Sequence, residues 1–256
     1  MKSRSVFAKT WKLGLTLLLA QASLANAVEI KVLSTIGVRP VLQEVRPQFE
    51  RATGHTLAIS FDVANALKRR IDAGESFDVA ILTVPVIEEL IKQGKIVGDT
   101  KVVIARGGMG MAVRAGAPKP DISSTEAFKN TLLQVKSVSY PKEGMTGIHM
   151  GKVMERLGIT QAMEPKLSLT TGSGNPAEMV ARGEVEIAAH LIPELLAVQG
   201  LSFLGPLPAE VQTYIVLPGG VSTSATQAQA GRDLLKFLTG PSVIPIIKAK
   251  GYEPGE

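Results

Sequence analysis

Ile30 and Val32 alternate with polar neighbours and lead into the turn Ser34-Thr35-Ile36-Gly37-Val38-Arg39-Pro40. Val41, Leu42, Val45 and Phe49 then fall at i, i+1, i+4 and i+8, the spacing of one helix face. The pattern predicts a strand, a tight turn and a helix running to about residue 51. Gly37 permits the sharp turn, Pro40 suits a first helical turn, and Gly54 caps the end. The pattern repeats. A strand at 56–61 passes through Asp62-Val63-Ala64-Asn65 into a helix at 66–71. A nearly all-apolar run at 78–82, as expected of a buried parallel strand, passes through Thr83-Val84-Pro85 into a helix with Ile87, Leu90 and Ile91 inward. Three such units in succession predict a parallel, doubly wound sheet with right-handed crossovers.

Past residue 100 the regularity changes. Two β runs, 101–106 and 109–114, are joined by Gly107-Gly108, which reads as a flexible corner. A loop at 115–121 follows, then a helix capped by Ser123 or Ser124 with Phe128 and Leu132 inward. A second block comes next. It has strands at 138–140, 166–169 and 186–192, with helices opened by Thr146-Gly147 and by Ser173-Gly174-Asn175-Pro176. A β run at 212–217 and helices at 224–238 and 243–250 close the chain. Two blocks of one unit predict an α/β fold of two doubly wound lobes with a ligand cleft between them. Open α/β sheets bind ligands at the C-terminal edges of their strands, where helix-start N–H groups favour negative charge. Arg39 adds a fixed positive charge at the first such edge, so a small anion is the expected ligand.

Composition changes the picture mainly at the N-terminus. Lys2, Arg4, Lys9 and Lys12 precede the apolar run 13–20, and Ala25-Asn26-Ala27 is a small-x-small cleavage site. This is the layout of a secretory signal peptide, 1–27, giving an exported, periplasmic protein that starts at Val28. Trp11, the one tryptophan, lies in that segment. Removing the segment's four basic residues leaves 24 Lys and Arg against 23 Asp and Glu. The formal charge of +5 therefore belongs largely to the signal, and nucleic acid is not an expected partner. With no cysteine, disulfides, thiolate nucleophiles and zinc–thiolate sites are excluded. No His/Asp/Glu set has metal-ligand spacing, and there is no G-x-S-x-G, Walker loop or strand-linked G-x-G-x-x-G. Neither metal nor cofactor is expected.

Four short stretches carry a family resemblance: 48–54 (Gln-Phe-Glu-Arg-Ala-Thr-Gly), 67–74 (Leu-Lys-Arg-Arg-Ile-Asp-Ala-Gly), 77–81 (Phe-Asp-Val-Ala-Ile) and 91–96 (Ile-Lys-Gln-Gly-Lys-Ile). In their order and spacing the chain resembles class II periplasmic substrate-binding proteins of ABC importers, most of all the molybdate-binding branch. The resemblance implies lobe one at 28–106 plus 215–256, lobe two at 107–214, and a monomer that serves a membrane ABC permease. It also implies a ligand held by helix starts, at Gly37, Arg39, Ala64 and Asn65 in lobe one and Thr146, Gly147, Asn175 and His190 in lobe two. Molybdate binders of this branch use serine hydroxyls in the first two βα turns. The matching positions here are Gly37 and Val63/Ala64, a usual tyrosine in lobe two is His190, and Arg39 is an added charge. Neutral donors at fixed radius suit a tetrahedral oxyanion, whereas an arginine fork suits a planar carboxylate. The expected ligand is a small organic di- or tricarboxylate. The same branch includes periplasmic aconitate isomerases, which move a double bond by moving a proton. That reading gives Arg39 the carboxylate clamp and His190 the acid/base role.

Each residue also has a plainer reading. Arg39 is then a surface charge and His190 a satisfied core histidine. Thr146, Ser173 and Asn175 are ordinary N-caps. Lys68, Arg69 and Arg70 form a solvated face, His149 lies on a helix surface, and Asp78 is structural.

Overall fold

The computed structural model describes residues 27–142, 144–171 and 174–255. The expected export signal lies outside these residues except for Ala27, and Ser173 lies outside them too.

β1 (Glu29–Thr35) passes through a 3-10 turn (Ile36–Val38) into α1 (Arg39–Thr53). The apolar face Val41, Leu42, Val45 and Phe49 is buried. Phe49 meets Phe237 edge-on with ring centroids 5.4 Å apart. Gly54 ends the helix in the left-handed conformation, and its N–H donates to the Glu50 carbonyl. β2 (Thr56–Asp62), α2 (Ala64–Asp72), β3 (Val79–Ile81) and α3 (Val84–Lys92) follow. β1 lies between β2 and β3 and is parallel to both. One boundary differs from expectation: α2 starts at Ala64, so Ala64 and Asn65 are helical rather than part of the turn, and extended Val63 is the cap. Asp78, 1% exposed, accepts hydrogen bonds from the backbone N–H groups of Lys31 (2.8 Å) and Gln227 (2.9 Å). It therefore ties β1 to the segment before the penultimate helix.

β4 (Val102–Arg114) corrects the expectation of two runs at a flexible corner, since it is one strand of 13 residues. Its glycines serve close packing. A Cβ on Gly110 would lie 2.7 Å from the Gly205 carbonyl oxygen, and one on Gly108 would lie 3.2 Å from the Tyr214 ring.

The rest of the chain is α4 (Thr125–Gln134), β5 (Val138–Ser139), α5 (Gly144–Arg156), α6 (Thr160–Met163), α7 (Pro176–Ala181), β6 (Ile187–Leu191) and α8 (Ile192–Leu196). Then come β7 (Leu201–Pro206), β8 (Tyr214–Val221), α9 (Ala228–Leu238), α10 (Ile244–Ala249) and β9 (Glu253–Pro254). The expected strand at 166–169 is not regular. Glu164–Lys166 is a 3-10 turn containing Pro165, and the residues beyond it make only isolated bridges, Val138 with Leu167 and Pro141 with Thr170. The strand expected to reach 192 stops at Leu191, because Pro193 favours the first turn of α8. β7 carries no clean alternation and was not expected. α5 starts at Gly144, two residues before Thr146. His149 is more than surface, its Nε2 lying 2.7 Å from the Val211 carbonyl oxygen. The charge run of α2 is laced with ion pairs, Lys68 to Asp72 and Glu89 and Arg70 to Glu75.

The strands follow the order β2-β1-β3-β8-β4-β6-β5, with β7 and β9 also pairing with β4. β4 is shared between two halves of the fold. Val102–Gly108 pairs with β8, and Met109–Val113 pairs with β6, both antiparallel. Each half has its own core. One gathers Ile30, Val41, Phe49, Leu217 and Leu234, with a neighbouring cluster at Leu67, Ile87 and Leu90. The other gathers Met109, Phe128, Leu132, Met150, Val153 and Ile187. Among the described residues no helix is long and apolar enough to cross a membrane.

Candidate functional site

The parallel strands of each half end in turns that start helices, and these edges carry the expected site residues. At the first edge, Gly37 sits in the 3-10 turn after β1 and Arg39 begins α1. The register sets Ser34 beside Phe61 and Thr35 beside Asp62, so the end of β2 adjoins this turn. The Arg39 guanidinium lies over the Phe61 ring, 4.8 Å from its centroid. Such stacking leaves the N–H fork free while fixing its plane. The Arg39 Nε is buried and has no hydrogen-bond partner in the protein. Ala64 and exposed Asn65 form the first turn of α2 at the second edge. Thr83 caps α3 at the third.

In the other half, β5 leads through Tyr140-Pro141-Lys142 to α5. Thr146 is buried at the third position of that helix. A Cβ on Gly147 would stand 2.4 Å from the carbonyl oxygens of both Pro141 and Lys142, so only glycine lets α5 come this close to the turn. Thr170 runs beside the same turn. Its N–H donates to the Tyr140 carbonyl (3.2 Å), and its carbonyl accepts from Lys142 N–H (2.8 Å). Its hydroxyl is buried and unpartnered. Asn175 is an N-cap in the ordinary sense, since its side-chain oxygen accepts from Ala177 N–H at 2.9 Å.

His190 lies near the end of β6, across from Gly110 of β4. Its Nδ1 accepts from the Leu191 N–H at 2.7 Å. Burial pulls the imidazole down from 6.5 to about 4, so the ring is neutral near pH 7. A neutral ring with Nδ1 as acceptor carries its proton on Nε2. In the free protein Nε2 is thus a donor, while Nδ1 accepts from the backbone. One helical turn on, burial pushes the Glu194 carboxyl up. Burial, and secondly the Glu194 charge, push the Tyr252 phenol up. Tyr252 in turn donates its hydroxyl proton to the Gly37 carbonyl, tying the first turn to the C-terminal segment.

The two halves face each other across a cavity of about 400 Å³, lined by Thr83, Val84 and Pro85 from one, Met145 from the other, and Tyr214, Ile215 and Val216 of β8. A larger hollow of about 710 Å³ lies among Lys119, Asp121, Gln212, Tyr214 and Glu253, and neither cavity is lined by any of the expected site residues. Gly37, Arg39 and Ala64 stand at the starts of α1 and α2, and Thr146, Gly147 and Asn175 at the starts of α5 and α7. Phe61, Thr170, Glu194 and Tyr252 were missed. Phe61 alone had a local signal, as the apolar residue ending a strand just before a helix start. Among the described residues no group of three or more His, Asp or Glu side chains is placed to hold a metal ion.

The sequence profile of a family described as bacterial extracellular solute-binding proteins matches residues 30–253. An aconitate isomerase from Pseudomonas sp is 31% identical over 251 residues, covering 93% of this chain and 94% of that protein. The molybdate-binding protein ModA of Azotobacter vinelandii is 27% identical over 241 residues, covering 90% and 92%. Among solved structures, the periplasmic molybdate-binding protein of Azotobacter vinelandii superposes with a TM-score of 0.65 at 20% identity, covering 87% of this chain and 98% of that one. A tungstate-binding protein from Desulfovibrio alaskensis does so with a TM-score of 0.67 at 12% identity, covering 90% and 100%.

Proposed function

The chain belongs to the bacterial extracellular solute-binding protein family, and on that premise we propose that it holds a small organic di- or tricarboxylate in a cleft between two lobes. Lobe one is 28–106 with 215–256, and lobe two is 107–214. The observation that carries this reading is Arg39, a guanidinium fixed over Phe61 with a buried, unpartnered Nε at a helix start. A planar fork matches a carboxylate in a way that the neutral hydroxyls suited to molybdate do not. Gly37 and Ala64 bring no hydroxyl to the first two turns, and the neutral Nε2–H of His190 supplies a donor from the opposite side. The protein works in the periplasm as a monomer, without metal or cofactor, and hands its ligand to an ABC permease.

A second reading is favoured by the relative at 31% identity, an aconitate isomerase. Cis- and trans-aconitate interconvert when one proton leaves the methylene carbon and one returns to the former vinylic carbon. The double bond moves along the chain, and no redox change occurs. Arg39 and His190 would hold the carboxylates, with His190 donating to the charge that develops on the intermediate. His190 is also the candidate acid/base group of this reading, because its neutral ring can exchange a proton at Nε2. Incubating the protein with cis-aconitate and separating the products by chromatography is the test. Appearance of trans-aconitate without added cofactor makes the protein an isomerase. Tight binding with unchanged substrate makes it a carrier alone.

A further inference from the structure

We propose that Thr170 is the lobe-two counterpart of Arg39: its hydroxyl takes a second oxygen of the ligand, so that the cleft selects molecules with two or more carboxylates over those with one. This rests on the carboxylate reading above and adds the residue that measures the ligand's far end.

Among the described residues, two buried side-chain nitrogen or oxygen atoms have no hydrogen-bond partner, Arg39 Nε and Thr170 Oγ1. Leaving such an atom unpaired is unfavourable, and folded proteins keep few of them. Both fall where parallel strands end, Arg39 after β1 and Thr170 beside the end of β5. These are the edges at which open α/β sheets take ligands. They belong to opposite halves of the fold, Arg39 on the helix whose Val41 and Phe49 enter the first core and Thr170 in a segment that bridges Pro141 beside β5.

Thr170 is 7% exposed, and its backbone is fully used by Tyr140 and Lys142. The hydroxyl is thus its one spare group. Gly174 packs directly on it, and a Cβ there would lie 3.0 Å from the Thr170 Cβ. A side chain at 174 would press on Thr170, whereas glycine leaves its position undisturbed. Gly147 does the same for the neighbouring turn, keeping α5 against Pro141 and Lys142. The backbone of Thr170 is fixed by its two hydrogen bonds, which sets the place of its side chain, as a binding group needs. A charged fork in one lobe and a neutral donor in the other read two ends of one ligand. A monocarboxylate satisfies Arg39 and leaves Thr170 unpaired.

The test compares wild type with Thr170→Val, Thr170→Ser and Arg39→Ala by calorimetric titration of tricarballylate and of acetate, with the melting temperature of each free protein. Thr170→Val should weaken tricarballylate binding about tenfold, the value of one hydrogen bond to a charged group. Acetate binding should not change, and Thr170→Ser should recover most of the loss. Free Thr170→Val should melt at or above the wild-type temperature, because it removes an unpaired buried hydroxyl. If Thr170→Val binds tricarballylate like wild type while Arg39→Ala does not, this inference fails and the carboxylate reading stands. A lower melting temperature with unchanged selectivity would make Thr170 structural and overturns it too. If wild type binds no carboxylate, both fail together.

Discussion

Arg39→Ala should weaken carboxylate binding by about 2–4 kcal/mol, roughly thirtyfold to a thousandfold, as when one partner of a buried charge pair is removed. The side chain lies over Phe61 and makes no ion pair within the described residues, so its charge is uncommitted before ligand arrives. The start of α1 behind it adds the positive end of a 15-residue helix. A pair shielded from solvent exceeds the value of an exposed pair. Arg39→Lys should recover only part of the affinity, because a point charge cannot reproduce the two-pronged geometry or the flat contact with Phe61. Calorimetry with tricarballylate reads all three proteins. Equal affinities would move the site away from the first turn. If the protein is an isomerase, Arg39→Ala should chiefly raise KM and His190→Ala chiefly lower kcat.

The second large effect concerns acid. The His190 imidazole falls from 6.5 to about 4 in the folded protein, with burial as the cause. The unfolded chain therefore binds a proton at this residue over a range where the folded chain does not. Stability is unaffected above pH 6.5, is lost as pH falls from there towards about 4, and loses no more from this residue below that. At about 1.4 kcal/mol per unit, the loss reaches roughly 3 kcal/mol. His190→Gln keeps a neutral polar side chain and removes the titration. Urea unfolding between pH 7 and pH 4 should show wild type losing about 3 kcal/mol more than His190→Gln across that window. Parallel profiles would mean that the ring is accessible to protons in the fold.

Much of the N-terminal half, β1 to α3, was legible because local and global preferences agree there. The period of α1 and the Gly54 cap each specify the element that forms. Arg39 stood out because it sits between a strand pattern and a helix pattern, where ligands bind. Gly107, Gly108 and Gly110 misled, since glycines within a strand pattern read as a corner. Their reason is tertiary, the closeness of Tyr214, Ile215 and the Gly205 carbonyl. The segment at 166–169 has strand-like alternation but bridges β5 at single positions rather than along its length. Thr170 could not be singled out from sequence, because a hydroxyl is ordinary until its surroundings leave it without a partner. Tyr252 likewise reaches Gly37 only through the packing of the C-terminal segment. His190 was legible as a candidate, but its tautomer, set by the Leu191 N–H, was not.

The proposed carboxylate site lies on a scaffold whose relatives include molybdate-binding proteins. On the proposed reading, two hydroxyl donors are missing, at Gly37 and at Val63/Ala64. Each neutral donor to an oxyanion contributes on the order of 1–3 kcal/mol, so molybdate affinity should fall by about a hundredfold or more. Side-by-side calorimetric titration of wild type with molybdate, tricarballylate and trans-aconitate is the most direct measurement. The prediction is clear heat and saturation with at least one of the two tricarboxylates and weak or absent binding of molybdate. Submicromolar molybdate binding with no response to either tricarboxylate would contradict it.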